Sequence, residues 1–427
     1  MSHWQAGWLT ILPSGQWYVE GIHFPIPLTS TNHITVPLGP LHVEQTLNLG
    51  LAPTVTGRYR TRIRWSMYNN MLQIAPLIGI LTSGKGEAFK GNRENFQEIS
   101  KTGQKLGALV FVFTPDGIDW ETYKIRGYLY DKRNGFWQSF ETPFPHVIYN
   151  RVPTRTVEEK EHMQETLKRI SQLKNVTLFN RQFFDKESLF ATLQAKKEVA
   201  PFLPDTYKLD SFERLKSFAR KHDVLYLKPI RGKAGRGIMR LEKHDTAWLL
   251  RRVHQQKSLC RTFDTLDELW TYLWPILQRK PYIVQQGIML ATYNDRPFDV
   301  RVLTQKNGKG LWDITGIGIR QAGARSITTH VPRGGAILSP DKVLPQIFGE
   351  EWSIFILQNI RKTVLVIAKA LQQNMRDLAE MSMDLGITTD GDIWFFEANS
   401  KPEKFDEPDI RRASLRNIIF YSQHMCK

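Results

Sequence analysis

Two carboxylates and an amide frame the stretch MSMDLGITTDGDIWFFEANSKP, residues 381–402. Asp390-Gly391 lies between two apolar runs and favours a two-residue type I′ hairpin turn, whose central positions need φ > 0. That register sets Asp384 opposite Glu397, Leu385 opposite Phe396 and Ile387 opposite Trp394. Directly opposed side chains lie roughly 4.5–5.5 Å apart at Cβ, and Asn399, two residues beyond Glu397, shares their face. Opposed carboxylates repel unless something sits between them. With an amide oxygen they make a hard, all-oxygen ligand set of the kind that suits Mg²⁺. The other face gathers Leu385, Ile387, Trp394 and Phe396 as an anchor in a core. An exposed hairpin with solvated acids accounts for the same residues, so the decision lies upstream.

Upstream are two lysines and a glycine-rich loop. Asp185 caps a helix over 186–198 that starts at Lys186 and carries Leu189, Phe190 and Leu193 on one side. Asp210-x-x-Glu213 reads as the capping box of a second helix, with Phe212, Leu215 and Phe218 inward. A strand follows at 224–230, VLYLKPI, with Lys228 one residue before a proline. After it come Arg231-Gly232-Lys233-Ala234-Gly235-Arg236-Gly237 and a second strand from Ile238. Backbone N–H groups of such a loop approach phosphate oxygens closely, and the lysines supply positive charge. It is not a Walker loop, because a strand rather than a helix follows Gly237. A plain hairpin is the other reading of the same glycines.

The elements that must hold these groups read as follows. Residues 1–70 form a small β-rich module with candidate strands at 16–20, 33–37 and 59–67, separated by Pro, Gly and Asn breaks. Arg58, Arg60, Arg62 and Arg64 alternate with apolar residues there and are assigned to an outward face. A buried strand at 75–82, a helix over 92–106 and a strand at 108–113 give βαβ spacing, hence a parallel α/β domain. A further strand, 146–150, precedes Arg151-Val152-Pro153, and 160–174 reads as a mostly polar helix. No Gly-x-Gly-x-x-Gly follows the first strand, which argues against a dinucleotide-binding domain.

Composition bounds the remaining choices. The chain has 427 residues, 41% hydrophobic and 11% aromatic, enough for two or three domains with ample core. Its longest apolar runs are too short to span a bilayer, and the first residues lack the pattern of a signal peptide, so an intracellular protein is expected. Cys260 and Cys426 are the 2 cysteines and fit neither a disulfide framework nor a zinc site. The formal charge of +16 favours anionic partners. The basic residues are spread along the chain without a nucleic-acid motif, so they are read as solvated surface rather than a nucleic-acid patch. The 11 histidines show no HExxH spacing.

The order of these parts resembles the ATP-grasp superfamily over about residues 180–402. Asp299-Val300-Arg301, Arg320 and Pro332-Arg333-Gly334-Gly335 resemble the superfamily's ligases that add amino acids to carboxylates. The whole chain is most similar in texture to the YheC/YheD endospore coat-associated family. The resemblance implies an ATP-grasp domain of two α+β subdomains at 179–427, preceded by a pre-ATP-grasp α/β domain at 71–178 and the module at 1–70.

It also implies roles. Lys186 and Lys228 would bind ATP phosphates, and Gly232, Gly235 and Gly237 would form the loop closing over them. Gln285, Gln286 and Ile288 would lie in the strand receiving adenine; many relatives have Glu where Gln286 stands. Asp299 would meet the ribose. Asp384, Glu397 and Asn399 would hold Mg²⁺, or Mn²⁺ in its place, and Arg301 and Arg320 would face the transferred phosphate. The implied activity is an ATP-dependent carboxylate–amine ligase that forms C–N bonds through an acyl phosphate. Its substrates would be a carboxylate and an amine on an amino acid, a peptide or a spore-surface polymer. The alternative is a structural or ATP-binding coat protein without turnover, made in the cytoplasm, assembled on the endospore coat and partnered by coat proteins.

Overall fold

The computed structural model describes residues 4–22, 32–68, 71–85, 88–232, 236–254, 257–323 and 335–426. Gln5–Ile11, Trp17–Glu20, His33–Leu38, Val43–Leu49, Tyr59–Tyr68 and Met71–Ile74 make one six-stranded sheet. Alternation decides its faces: Leu9, Ile11, Tyr59, Ile63 and Trp65 point into a core. The intervening arginines point out, and Arg60 pairs with Glu20 at 2.9 Å and lies over the Trp8 ring.

Leu77–Leu81, apolar at every position, is the centre of a seven-stranded sheet. Leu109–Phe113, Val147–Asn150 and Thr177–Phe179 run parallel within it, as βαβ spacing requires. The sheet also has an antiparallel extension, Ile118–Asp119, Lys124–Asp131 and Phe136–Pro143, in a stretch where sequence reading assigned no strands. Asn92 caps the Arg93–Leu106 helix by accepting from the Asn95 N–H, and Gly107 ends it in the left-handed conformation. One face of the sheet shares a core with the first sheet, through Leu81, Phe111 and Ile148. The other is covered by that helix and by Pro408–His424, through Phe96, Ile99, Ile418 and Ile419.

The third sheet has six strands, all antiparallel: Thr206–Leu209, Tyr282–Gln286, Val224–Pro229, Met239–His244, Ala247–His254 and Lys257–Phe263 in spatial order. Helices Phe212–Ala219 and Leu266–Leu277 pack on it through Leu215, Phe218, Leu269 and Leu273. Ser211 rather than Asp210 caps the first of these, accepting from the Arg214 N–H at 3.2 Å. Leu215 and Phe218 point inward as expected, but Phe212, the first helical residue, sits half-buried against Trp270 instead of in the core.

The fourth sheet is built on Arg296–Lys306, flanked by Trp312–Gln321 and by Glu380–Ile387, with Ile393–Asn399 beyond. Its core face carries Phe298, Val300, Val302, Met383 and Leu385 and packs against the long Glu350–Asn374 helix. Among the described residues no helix is long and apolar enough to cross a membrane.

Candidate active site

The hairpin holds its acids where expected by a different route. Thr388 and Asp392 close a three-residue turn, with the Thr388 N–H donating to the Asp392 carbonyl at 3.0 Å and Gly391 at φ 86°. A bulge between Asp384 and Leu385 then restores the register, so Asp384 faces Glu397 and Ser382 faces Asn399. Between turn and bulge every pairing differs from expectation by one residue: Leu385 faces Phe395, Gly386 faces Trp394 and Ile387 faces Ile393. Phe395 and Ile393 therefore occupy the core, and Trp394 and Phe396 stand half-buried outside it. The bulge places the Phe396 ring 5.5 Å from the Lys228 ammonium, across the cleft.

Lys228 meets this face from the third sheet, and Lys186 from a helix whose Leu189, Phe190 and Leu193 share the fourth sheet's core. Asp185 accepts from the Ser188 N–H at 2.9 Å, which fixes the start of Lys186–Gln194, and Lys186 Nζ reaches Glu397 Oε1 at 2.7 Å. Val224–Pro229 alternates with Leu225, Leu227 and Pro229 in the core, so Lys228 faces the cleft side. Its Nζ donates to Gln285 Oε1 at 2.5 Å, and Gln285 Nε2 donates to Thr206 Oγ1 at 2.8 Å. Burial pulls the Lys228 pKa down to about 8; Lys186 adds to that, while Glu397, Asp299 and Asp384 oppose it.

On the fourth sheet Arg301 Nε and Nη2 bind the two oxygens of Asp384 at 2.8 and 2.9 Å. Burial alone would raise the Asp384 pKa, but the Arg301 charge and its bonds outweigh that and hold it below the usual carboxylate value. Asp384 in turn raises the Arg301 pKa. Asp299 pairs across the strands with Arg320, whose guanidinium is held by Glu407 at 2.7 and 3.1 Å. Asp299, Arg301, Arg320, Asp384, Glu397 and Asn399 share the face opposite the core, because cross-strand partners project to the same side.

The remaining expected residues are less central. Gly237 has φ 79° and lies beside Lys280 and Tyr282, Gly232 lies beside Pro229, and Gly235 falls outside the described residues, as do Pro332, Arg333 and Gly334. Gln286 is tied to the Asp205 backbone, accepting its N–H at 3.2 Å and donating its own N–H at 2.8 Å. Ile288 is half-buried in the connection between the third and fourth sheets. That connection is pinned by Gly287 N–H to the Val224 carbonyl and Ala291 N–H to the Ile387 carbonyl.

Asp384, Glu397 and Asn399 suit a divalent cation in donor chemistry, being two carboxylates and an amide on one face. The described residues contain no group of three or more His, Cys, Asp or Glu placed to hold a metal, so a cation there would draw on the amide. Both carboxylates already share their charge with Lys186 and Arg301, and a cation would compete with those side chains for the same oxygens.

Sequence reading missed the buried supports behind this face. Glu158 and Lys401, 4% and 2% exposed, form an ion pair. Arg151 Nη2 donates to the Pro402 carbonyl at 3.0 Å. Asn180 accepts from the N–H groups of Ala379 and Glu380 and donates to the Ser400 carbonyl. Burial raises the Glu380 pKa, and Tyr149 and Gln305 donate to it. These residues clamp the segment that follows Asn399 onto the seven-stranded sheet. Lys401-Pro402, so close to the acids, was the available signal.

The model of the YheC/D like ATP-grasp family matches residues 175–425. The chain belongs to that family. This YheC/D-like ATP-grasp chain is 29% identical over 384 residues to endospore coat-associated protein YheD of Bacillus subtilis (strain 168), covering 86% of the chain and 83% of the relative. Endospore coat-associated protein YheC of the same strain is 24% identical over 308 residues, 71% of the chain and 84% of the relative. Among solved structures it is similar to a D-alanine–D-alanine ligase from Bacillus anthracis, with TM-score 0.47 and 14% identity over 82% of this chain and 95% of that one.

Proposed function

We propose that this chain is an ATP-dependent carboxylate–amine ligase working through an acyl phosphate, with its nucleotide-binding unit at 179–427 behind units at 1–70 and 71–178. The observation that carries the reading is convergence. Lys186 reaches Glu397, Lys228 lies within the field of Glu397, Asp299 and Asp384, and Arg301 stands on Asp384. Such a site works by positioning charge around a phosphate chain.

Lys186 and Lys228 would bind the phosphates under a loop containing Gly232, Gly235 and Gly237. Gln285, Gln286 and Ile288 would border adenine, and Asp299 would accept from the ribose. Asp384, Glu397 and Asn399 would hold Mg²⁺ or Mn²⁺, which when bound supplies charge neutralisation at the phosphate oxygens. A substrate carboxylate attacks the γ-phosphorus, the bond to the β-phosphate oxygen breaks, and ADP leaves. An amine then adds to the acyl carbon and phosphate departs, the amine giving up its proton. Arg301 and Arg320 would offset the charge that grows on the transferred group.

The names of the two Bacillus relatives favour a second reading, a nucleotide-binding component of the endospore coat without turnover, and favour assembly there after synthesis in the cytoplasm. Calorimetric titration with Mg²⁺ and a non-hydrolysable ATP analogue tests the shared premise. Lys186→Ala and Lys228→Ala should each weaken binding by roughly 10- to 150-fold, the about 1.5–3 kcal/mol of a charge-assisted contact. Unchanged affinity in both would refute the assignment.

A further inference from the structure

We infer that Glu407 is a positioning residue that aims Arg320 at the transferred phosphate; this rests on the ligase reading above. Glu407 is the residue at the N-cap of the Pro408–His424 helix, yet its side chain makes no capping bond there. It reaches the fourth sheet instead and takes Nη1 and Nη2 of Arg320 with its two oxygens, at 2.7 and 3.1 Å. The pair is well shielded, with side chains 7% and 22% exposed.

The sheet leaves room for this contact at one position. A Cβ on Gly318 would stand 2.1 Å from Glu407 Oε1 and 2.7 Å from Arg320 Nη1. Gly318 is also the cross-strand partner of Arg301, which in turn faces Asp384. Glu407 thus lies on the same face as the acids and both arginines.

The two guanidinium groups are held by different edges. Arg301 gives its Nε and Nη2 edge to Asp384. Arg320 gives its Nη1 and Nη2 end to Glu407, and Nη1 also donates to the Ile319 carbonyl at 3.3 Å. Of the five N–H groups of an arginine, the contacts to described residues use three, and the Nε–H and an Nη2–H of Arg320 form a planar fork with the spacing of two phosphate oxygens. Phe405, whose ring centroid lies 5.6 Å from the Arg320 guanidinium carbon, backs the group.

Charge gives the inference a signature that a purely structural role lacks. Glu407 neutralises Arg320, so the pair adds little net attraction for a ground-state triphosphate. Glu407→Gln exposes that charge and unfixes the fork, so binding and rate should move in opposite directions. Gly318→Ala displaces the same clamp sterically while both partners keep their chemistry, and the Gly318 backbone does not lie in the positive-φ region.

The experiment measures two quantities for wild type, Glu407→Gln, Gly318→Ala and Arg320→Ala. One is the dissociation constant of the Mg²⁺ complex of a non-hydrolysable ATP analogue. The other is the rate of ADP release from MgATP with pooled amino acids and short peptides. In Glu407→Gln the expected result is tighter binding by about 3- to 10-fold with kcat lower by about 10- to 100-fold. Gly318→Ala should lose rate similarly, and Arg320→Ala should lose rate without gaining affinity. Wild-type kcat in Glu407→Gln, or binding and rate falling together, overturns the positioning role while leaving the ligase reading standing. A wild-type protein that binds no nucleotide overturns both. If it binds without turning over, affinity decides: unchanged binding in Glu407→Gln overturns the role.

Discussion

Raising the pH from 7 to 9 should weaken MgATP binding about tenfold, and Lys228 should be responsible. Its ammonium is buried and its pKa falls to about 8. It is therefore charged in roughly nine molecules of ten at pH 7 and in roughly one of ten at pH 9. Phosphate oxygens favour the charged form and raise the pKa, so binding takes up a proton and is strongest below the free-protein value. The tenfold change corresponds to about 1.4 kcal/mol. Calorimetry of a non-hydrolysable ATP analogue at pH 8, in two buffers with different ionisation heats, should register uptake of about half a proton. Lys228→Arg keeps its charge throughout this range, so its affinity should be flat with pH. Zero proton uptake in wild type, or the same pH slope in Lys228→Arg, would refute the argument.

Glu397→Gln should abolish the part of nucleotide affinity that depends on Mg²⁺ and leave the thermal midpoint close to wild type; an unfolded variant would make the carboxylate structural. Glu158→Gln and Lys401→Met should each cost about 3–5 kcal/mol in urea unfolding, because each leaves a buried charge unpaired. The double variant should lose less than their sum, and strict additivity would contradict direct pairing. Phe395→Ala should cost about 3–5 kcal/mol as a core truncation and Trp394→Ala less than half of that. The reverse order would restore the unbulged hairpin.

The candidate residues could be picked out of the sequence because their chemistry is local. A helix cap announced Lys186, an alternating strand announced Lys228, and opposed acids around Asp390-Gly391 announced Asp384 and Glu397. The hairpin shows how far such reading goes. The turn is one residue longer than the dipeptide suggested and the bulge one residue wider, so two deviations cancelled at the acids and did not cancel at Trp394 and Phe396. The capping box failed for a similar reason: Asp210 and Ser211 both cap well, and packing against Trp270 is compatible with the latter. Glu407, Glu158 and Arg151 were beyond reach, since each meets a partner 87, 243 or 251 residues away in the chain. Gly318 carries no signal of its own in the sequence, because the helix cap that needs its missing side chain lies far along the chain.

The central claim is that this cleft joins a carboxylate to an amine at the expense of ATP. The most direct test incubates the protein with MgATP and pooled amino acids, short peptides and spore-surface extract, following ADP, phosphate, pyrophosphate and any product of added mass together. ADP and phosphate should appear without pyrophosphate, only when an acceptor is present, and should be lost in Arg320→Ala. Tight MgATP binding with no acceptor-dependent turnover in any pool, or release of pyrophosphate, would contradict it.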